Sequence, residues 1–264
     1  MNNTRISSTD LKTRITEHIQ ELAEATDAAR VSEEMLQYLD MCAKFHGYSP
    51  QNVWLIMMAC PHATMVAGFK KWQSMDRNVK KGERGIPILA PVFKNVEDEE
   101  GEEIVKLIGF KVVYVFDVSQ TDGDSLPEPP DWKSPKKNAE LTELLIDYAR
   151  SKNIIVEVKD LPGEIQGASC GGKILLDPEA GTKTLIHEIA HELLHQRKDG
   201  PTEGAIRELE AESVAYVVGK HFGIDGLASP NYVALHGTTA EMILEHMERI
   251  RKSATEIIKA LEIE

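Results

Sequence analysis

Cysteine is scarce: 264 residues hold three (Cys42, Cys60 and Cys170), an odd number, widely spaced and with no CxxC pair. That excludes a disulfide framework and a cysteine zinc site, and predicts reduced, mostly buried thiols. No apolar run approaches the roughly 18 residues of a membrane span, and the opening MNNTRISSTD lacks the basic-then-apolar profile of a secretory signal. The expectation is a cytoplasmic protein with no membrane partner. Net positive charge is missing as well: the formal charge is -13, which taken alone argues against a nucleic-acid partner. The average hides an exception. Between residues 60 and 95, Lys70, Lys71, Arg77, Lys80, Lys81, Arg84 and Lys94 outnumber Asp76 and Glu83. EDEEGEE (97–103) follows with carboxylates on both sides of Gly101. A basic patch inside an acidic chain is compatible with a confined anionic ligand.

What is present is enough apolar content, 42%, to bury a real core, over a length that suits two modest domains. Helical periodicity covers 9–26 and 32–46, the second opened by Ser32 as N-cap, and Ser49-Pro50 opens a third helix to about Cys60. A short helix around GFKKWQSM and two β-rich runs, GIPILAPVF and IVKLIGFKVVYVF, complete a first domain over 1–122. Pro, Asp, Ser and Gly then dominate a linker, 123–137. The second domain, 138–264, reads as a helix (138–151), strands NIIVEVK and GKILLD with a short β segment near 165–169, and helices over the HEIAHELLH stretch, 203–221 and 239–261. The fold class is α+β, with a small sheet in the second domain.

HEIAHELLH (187–195) carries the chemistry. His187 and His191 are four apart, so on a helix both imidazoles project from one face, about 6 Å apart along the axis, and can meet one ion. Glu188 lies about 100° round and reaches a water rather than the metal, the HExxH arrangement of two ligands and a general base. His195 lies about 12 Å from His187 along the axis, too far to share that ion. It falls near the helix end, either behind a ligand or at the surface. The third ligand is sought in RELEAESVAYVVG. Glu208 and Glu212 share a face with Ala211, Ala215 and Gly219, small residues that predict close, buried approach to a neighbour. Glu208 is taken as third ligand, and Glu212 as an acceptor fixing a ligand histidine's tautomer.

HExxH followed on the next helix by this glutamate resembles the gluzincin metallopeptidases. GGKILLDPEAGTKTLIHEIAHELLH with ELEAESVAYVV is similar to the ImmA/IrrE group and to the protease domain of ArdC-type antirestriction proteins. The resemblance implies a zincin-like domain hydrolysing peptide bonds with Zn2+, or another divalent ion such as Mn2+. It also implies a substrate strand laid along GKILLD as an edge. An oxyanion donor is still needed, and Tyr232 and His236 are the candidates. FHGYSPQNVWLI, GFKKWQSMDRNVKKGERGIPILAPVF and GFKVVYVFDVSQT resemble, in order and spacing, the N-terminal single-stranded DNA-binding domain of ArdC-type proteins. Stacking candidates are Trp54, Phe69 and Trp72; Lys70, Lys71, Arg77, Lys80 and Lys81 are the phosphate candidates, with Asn52 and Gln120 for polar contacts. Against these stand core packing for the rings and a solvated face for the lysines.

The resulting expectation is a single-stranded DNA-binding zinc metallopeptidase of a mobile element, acting in antirestriction on a protein substrate the sequence does not name. Two alternatives come from other classes. One is a non-catalytic DNA-shielding protein whose metal is structural; the other is a regulatory protease that cleaves a repressor.

Overall fold

The computed structural model describes residues 6–25, 28–97, 102–126, 135–196, 203–227, 230–235 and 238–262. In order along the chain run Ser8–Glu24 (α1), Ala28–Lys44 (α2), Pro50–Ala59 (α3), Val66–Gly68 (β1), Phe69–Gln73 (α4), Arg77–Val79 (β2), Ile86–Glu97 (β3), Glu103–Asp117 (β4) and Thr121–Gly123 (β5). Then follow Pro135–Ser151 (α5), Ile155–Val158 (β6), Gly167–Ser169 (β7), Lys173–Leu176 (β8), Thr182–His195 (α6), Gly204–His221 (α7) and Ala240–Leu261 (α8). No helix among the described residues is long and apolar enough to cross a membrane.

Two compact units result: 1–21 with 51–127, and 22–50 with 128–264. In the first, β3 and β4 form a long antiparallel hairpin, with β1 pairing to the end of β4, while β2 and β5 form a separate pair. Val53, Trp54 and Ile56 on α3 are fully buried, as is Trp72 on α4. Each large apolar side chain so buried contributes about 1.5–3 kcal/mol. Asp117 closes the end of β4, taking the backbone N–H groups of Thr64, Met65 and Ser119. Gly123 is required where it stands: its φ is 143°, and a Cβ there would lie 2.3 Å from the Asp76 carbonyl oxygen.

In the second unit the sheet runs β6-β8-β7, with β6 parallel and β7 antiparallel to β8. β8 is therefore central, and the open edge beside α6 belongs to β7. That corrects the expectation that GKILLD forms the edge: hydrophobic alternation shows which face is buried, not how many neighbours a strand has. α7 packs against α2, α6 and α8, which is why Leu209, Ala211, Val214, Ala215, Val217 and Val218 are buried all round it.

The division also departs from a single break in sequence order, because residues 22–50 sit in the second unit. Met35, Leu39 and Cys42 of α2 are buried, and Asp40 accepts a 2.8 Å hydrogen bond from the Tyr216 hydroxyl on α7. Ser32, expected as an N-cap, lies inside α2, which starts one turn earlier. Of the expected linker, Gly123 is the last residue of β5, 127–134 lie outside the described residues, and α5 begins at Pro135.

Candidate metal centre

α6 leaves Gly181 with extended backbone and buries Leu185, Ile186, Ile189, Ala190 and Leu194. That fixes its rotation and sends His187 and His191 to the side facing α7. Their Nε2 atoms are 3.0 Å apart. Glu208 on α7 places one carboxylate oxygen 3.4 Å from the His187 Nε2 and the other 3.4 Å from that of His191. A tetrahedral ion with bonds of about 2.0–2.2 Å holds its ligand atoms about 3.3–3.6 Å apart, so this donor set fits with little movement. The Glu208 side chain is 62% exposed against 10% for His191, so the cluster opens to solvent on one side. Three protein donors and an open position suit a catalytic site rather than a closed structural one.

The electrostatics agree. Burial holds His187 below the ordinary imidazole range. Burial, reinforced by the adjacent His187, brings His191 down to about 4. Both are then neutral at pH 7, the form that ligates. Glu188, buried beside β7, is raised to about 7, first by burial and then by the charge of Glu208, although the Ser169 backbone N–H hydrogen-bonds it. A carboxylate so placed can take up and release a proton near neutrality. It fits there because residue 167 is glycine: a Cβ at Gly167 would come within 2.8 Å of the Glu188 Cγ and Oε1.

Behind the cluster runs a buried chain of hydrogen bonds. His191 Nδ1 lies 2.9 Å from His195 Nδ1, and His195 Nε2 lies 2.9 Å from Glu210 Oε2. Glu210 is fully buried and also takes His246 Nδ1 at 2.7 Å and Arg249 Nε at 2.9 Å. Burial opposes its ionisation, but the bonds from His195, His246 and Arg249 override that and bring it to about 2. The proton assignment follows from the partners: the carboxylate accepts from His195 Nε2–H, so His195 Nδ1 accepts from His191 Nδ1–H. That leaves the His191 Nε2 lone pair directed at the cluster. A second buried carboxylate, Glu192, accepts from the Ser169 hydroxyl and from the Gly171 and Gly172 N–H groups, and so holds the β7–β8 turn against α6.

Among the expected phosphate candidates of the first unit, Lys70, Lys71 and Lys81 are exposed and have no partner among the described residues, and Phe69 is 48% exposed. Trp72 is not a stacking platform. It is fully buried and its indole N–H donates to the Phe116 carbonyl. Asn52 is buried too, its amide donating to the Leu89 carbonyl and accepting from the Leu89 N–H, so it pins α3 to β3 and offers nothing to DNA. Arg77 spends its guanidinium on Thr121, Gly123 and Asp124. Lys80 is shared with the Ser119 carbonyl and Asp122. Gln120 caps the turn after β4 and bonds Glu83 and the Arg84 carbonyl. Trp54 is core. Of the acidic segment, residues 98–101 lie outside the described residues.

Residues 9–118 match the family model of the N-terminal domain of anti-restriction factor ArdC. Over that region the chain is ArdC-like. It is also 29% identical over 294 aligned positions to an uncharacterized protein of Bacillus anthracis, covering 91% of this chain. The chain spans about half the length of that relative. Two crystal structures of the antirestriction ArdC protein from R388 plasmid are similar, both with a TM-score of 0.46. The metal-free form is 18% identical, with 81% of this chain and 83% of that one covered; the Mn(II)-bound form is 19% identical, with 86% and 95% covered.

Beyond the ArdC-like region, His187, Glu188, His191 and Glu208 are brought together, whereas four other expectations are not met. Glu212 makes no hydrogen bond to either histidine and acts on His187 only through its charge. The carboxylate that orients a ligand is Glu210, through His195. The small-residue face is buried without burying Glu208 itself. Tyr232 is buried with its hydroxyl 3.5 Å from Ser213 Oγ, and His236 lies outside the described residues. Cys170, expected to be packed, is exposed.

Proposed function

We propose that this chain is a single-stranded DNA-binding, zinc-dependent metallopeptidase that acts in antirestriction on proteins at or near DNA. The observation that carries the peptidase half is the convergence of two histidines and a glutamate from two helices, with a separate carboxylate, Glu188, held beside them and not among the ligands. Zinc held there, or another divalent ion such as manganese, supplies Lewis acidity for a peptide carbonyl and lowers the pKa of water toward 7. Glu188 accepts the water's proton and delivers it to the leaving amine. Glu210 and His195 keep His191 in its ligating tautomer. The open edge of β7 offers backbone groups to an extended peptide, and Glu192 keeps that strand in place. The DNA half rests on the ArdC-like region and on Phe69, Lys70, Lys71 and Lys81, a ring and three cations free to meet bases and phosphates.

The test uses the zinc-loaded full chain with an unstructured protein such as β-casein, products being read by mass spectrometry. Wild type cleaves it, and Glu188→Gln binds zinc as well as wild type does but does not cleave. Equal cleavage by both would remove Glu188 from its role, and none by either on a broad peptide library would remove the peptidase reading.

A further inference from the structure

His46 belongs to FHGYSP, a stretch with no part in the HExxH cluster, and it sits in the second unit with the ends of α7 and α8. Its ring meets that of His221, the last residue of α7, with centroids 5.0 Å apart and planes at 82°. Glu262, which follows α8, places Oε1 3.1 Å from His221 Nε2. On its other side His221 Nδ1 is 2.9 Å from the Ala43 carbonyl oxygen. A carbonyl only accepts, so Nδ1 carries the hydrogen, and in a neutral ring Nε2 presents a lone pair toward a carboxylate. Two acceptors facing each other need a cation between them. His46 Nδ1, meanwhile, is buried without a hydrogen-bond partner, which is costly for an imidazole nitrogen unless something takes its lone pair. Thr255 Oγ1 donates to the His46 carbonyl at 2.6 Å and holds this loop on α8.

We propose that His46, His221 and Glu262 form a second divalent-metal site, distinct from the His187–His191–Glu208 cluster, that clamps the end of α8 to α7 and to the loop after α2. Donor atoms of the three residues lie within 4.8 Å of one another. The Glu262 side chain, 49% exposed, is free to turn and close that spacing. Two imidazoles and one carboxylate select ions of the zinc, copper or nickel class over magnesium or calcium. The carbonyl behind His221 plays the orienting part that accompanies metal-bound histidines. The competing arrangement is a protonated His221 paired with Glu262. It leaves His46 Nδ1 unpartnered and takes up no metal.

The full chain is loaded with Zn(II), free metal is removed, and the zinc-to-protein ratio is measured. Two equivalents are expected in wild type, one in His187→Ala/His191→Ala, one in Glu262→Gln, and none when all three changes are combined. Zinc should also raise the melting temperature of His187→Ala/His191→Ala, and adding the half-exposed Glu262→Gln should abolish that rise. Circular dichroism of each variant checks the fold. The proposal is overturned if His187→Ala/His191→Ala binds no zinc, or if its zinc survives the Glu262→Gln change. If wild type and His187→Ala/His191→Ala bind the same single equivalent and Glu262→Gln loses it, this site stands and the HExxH cluster is the one rejected.

Discussion

Replacing Glu210 by Gln removes one negative charge from a site where three donors converge, and its cost can be worked from the structure. The carboxyl sits at about 2 rather than the ordinary 4.5. At about 1.4 kcal/mol per factor of ten, that displacement corresponds to roughly 3 kcal/mol of native-state stability at pH 7. Breaking a buried ion pair by removing one partner costs about 3–5 kcal/mol, so the two estimates agree. For a chain of this size the loss should lower the melting temperature by roughly 6–12 °C. The pH dependence has a definite sign. Because the acid is stronger in the folded state, wild type holds this contribution above about pH 4.5 and loses it as pH falls toward 2, whereas the variant lacks that slope. Since Glu210 orients His191 through His195, zinc affinity should fall about tenfold to a hundredfold as well. Thermal melts from pH 3 to 8 and zinc competition with a chromophoric chelator read both effects. A variant that melts within a degree of wild type and binds zinc equally would refute the reasoning.

Gly167→Ala should displace Glu188, whose Cγ and Oε1 stand 2.8 Å from the added Cβ; cleavage should drop at least about tenfold while zinc content stays the same, and unchanged cleavage would count against the placement. Asn52→Ala leaves both Leu89 backbone groups unpaired, at about 1–3 kcal/mol for each buried group, so urea unfolding should show a destabilised first unit with single-stranded DNA affinity intact below the transition. Lys70→Ala/Lys71→Ala/Lys81→Ala should do the reverse, leaving stability alone and flattening the salt dependence of DNA binding by roughly 2 in log–log slope, about 0.7 for each lost phosphate contact.

Much of this was legible in the sequence, for reasons that particular residues make plain. Ser49-Pro50 marked the start of α3, and the bounds expected for α7 and α8 fall within one residue of the observed ones, whereas α6 was placed only by HEIAHELLH and begins five residues earlier, at Thr182. HExxH placed its two ligands because four-residue spacing has one meaning on a helix. Glu208 was chosen from the face that it and Glu212 share with Ala211, Ala215 and Gly219. What stayed hidden depends on tertiary neighbours. Trp72 between Lys71 and Gln73 looks exposed, yet a one-turn helix has no period to read, and its indole is buried against β4. The orienting carboxylate was sought on the face of Glu208, so Glu210 was passed over. Its signal was a glutamate between Leu209 and Ala211, on a helix apolar all round, with His246 and Arg249 three apart on α8 to neutralise it. The assignment of α2 to the second unit had no local signature, because it rests on packing against a helix about 180 residues later.

The most direct test of the central claim is zinc binding at the HExxH cluster, isolated by working in Glu262→Gln. That protein should hold one tight equivalent by elemental analysis and lose it when His191→Ala and Glu208→Ala are added. Zinc retained after those changes, or none bound before them, would contradict the account.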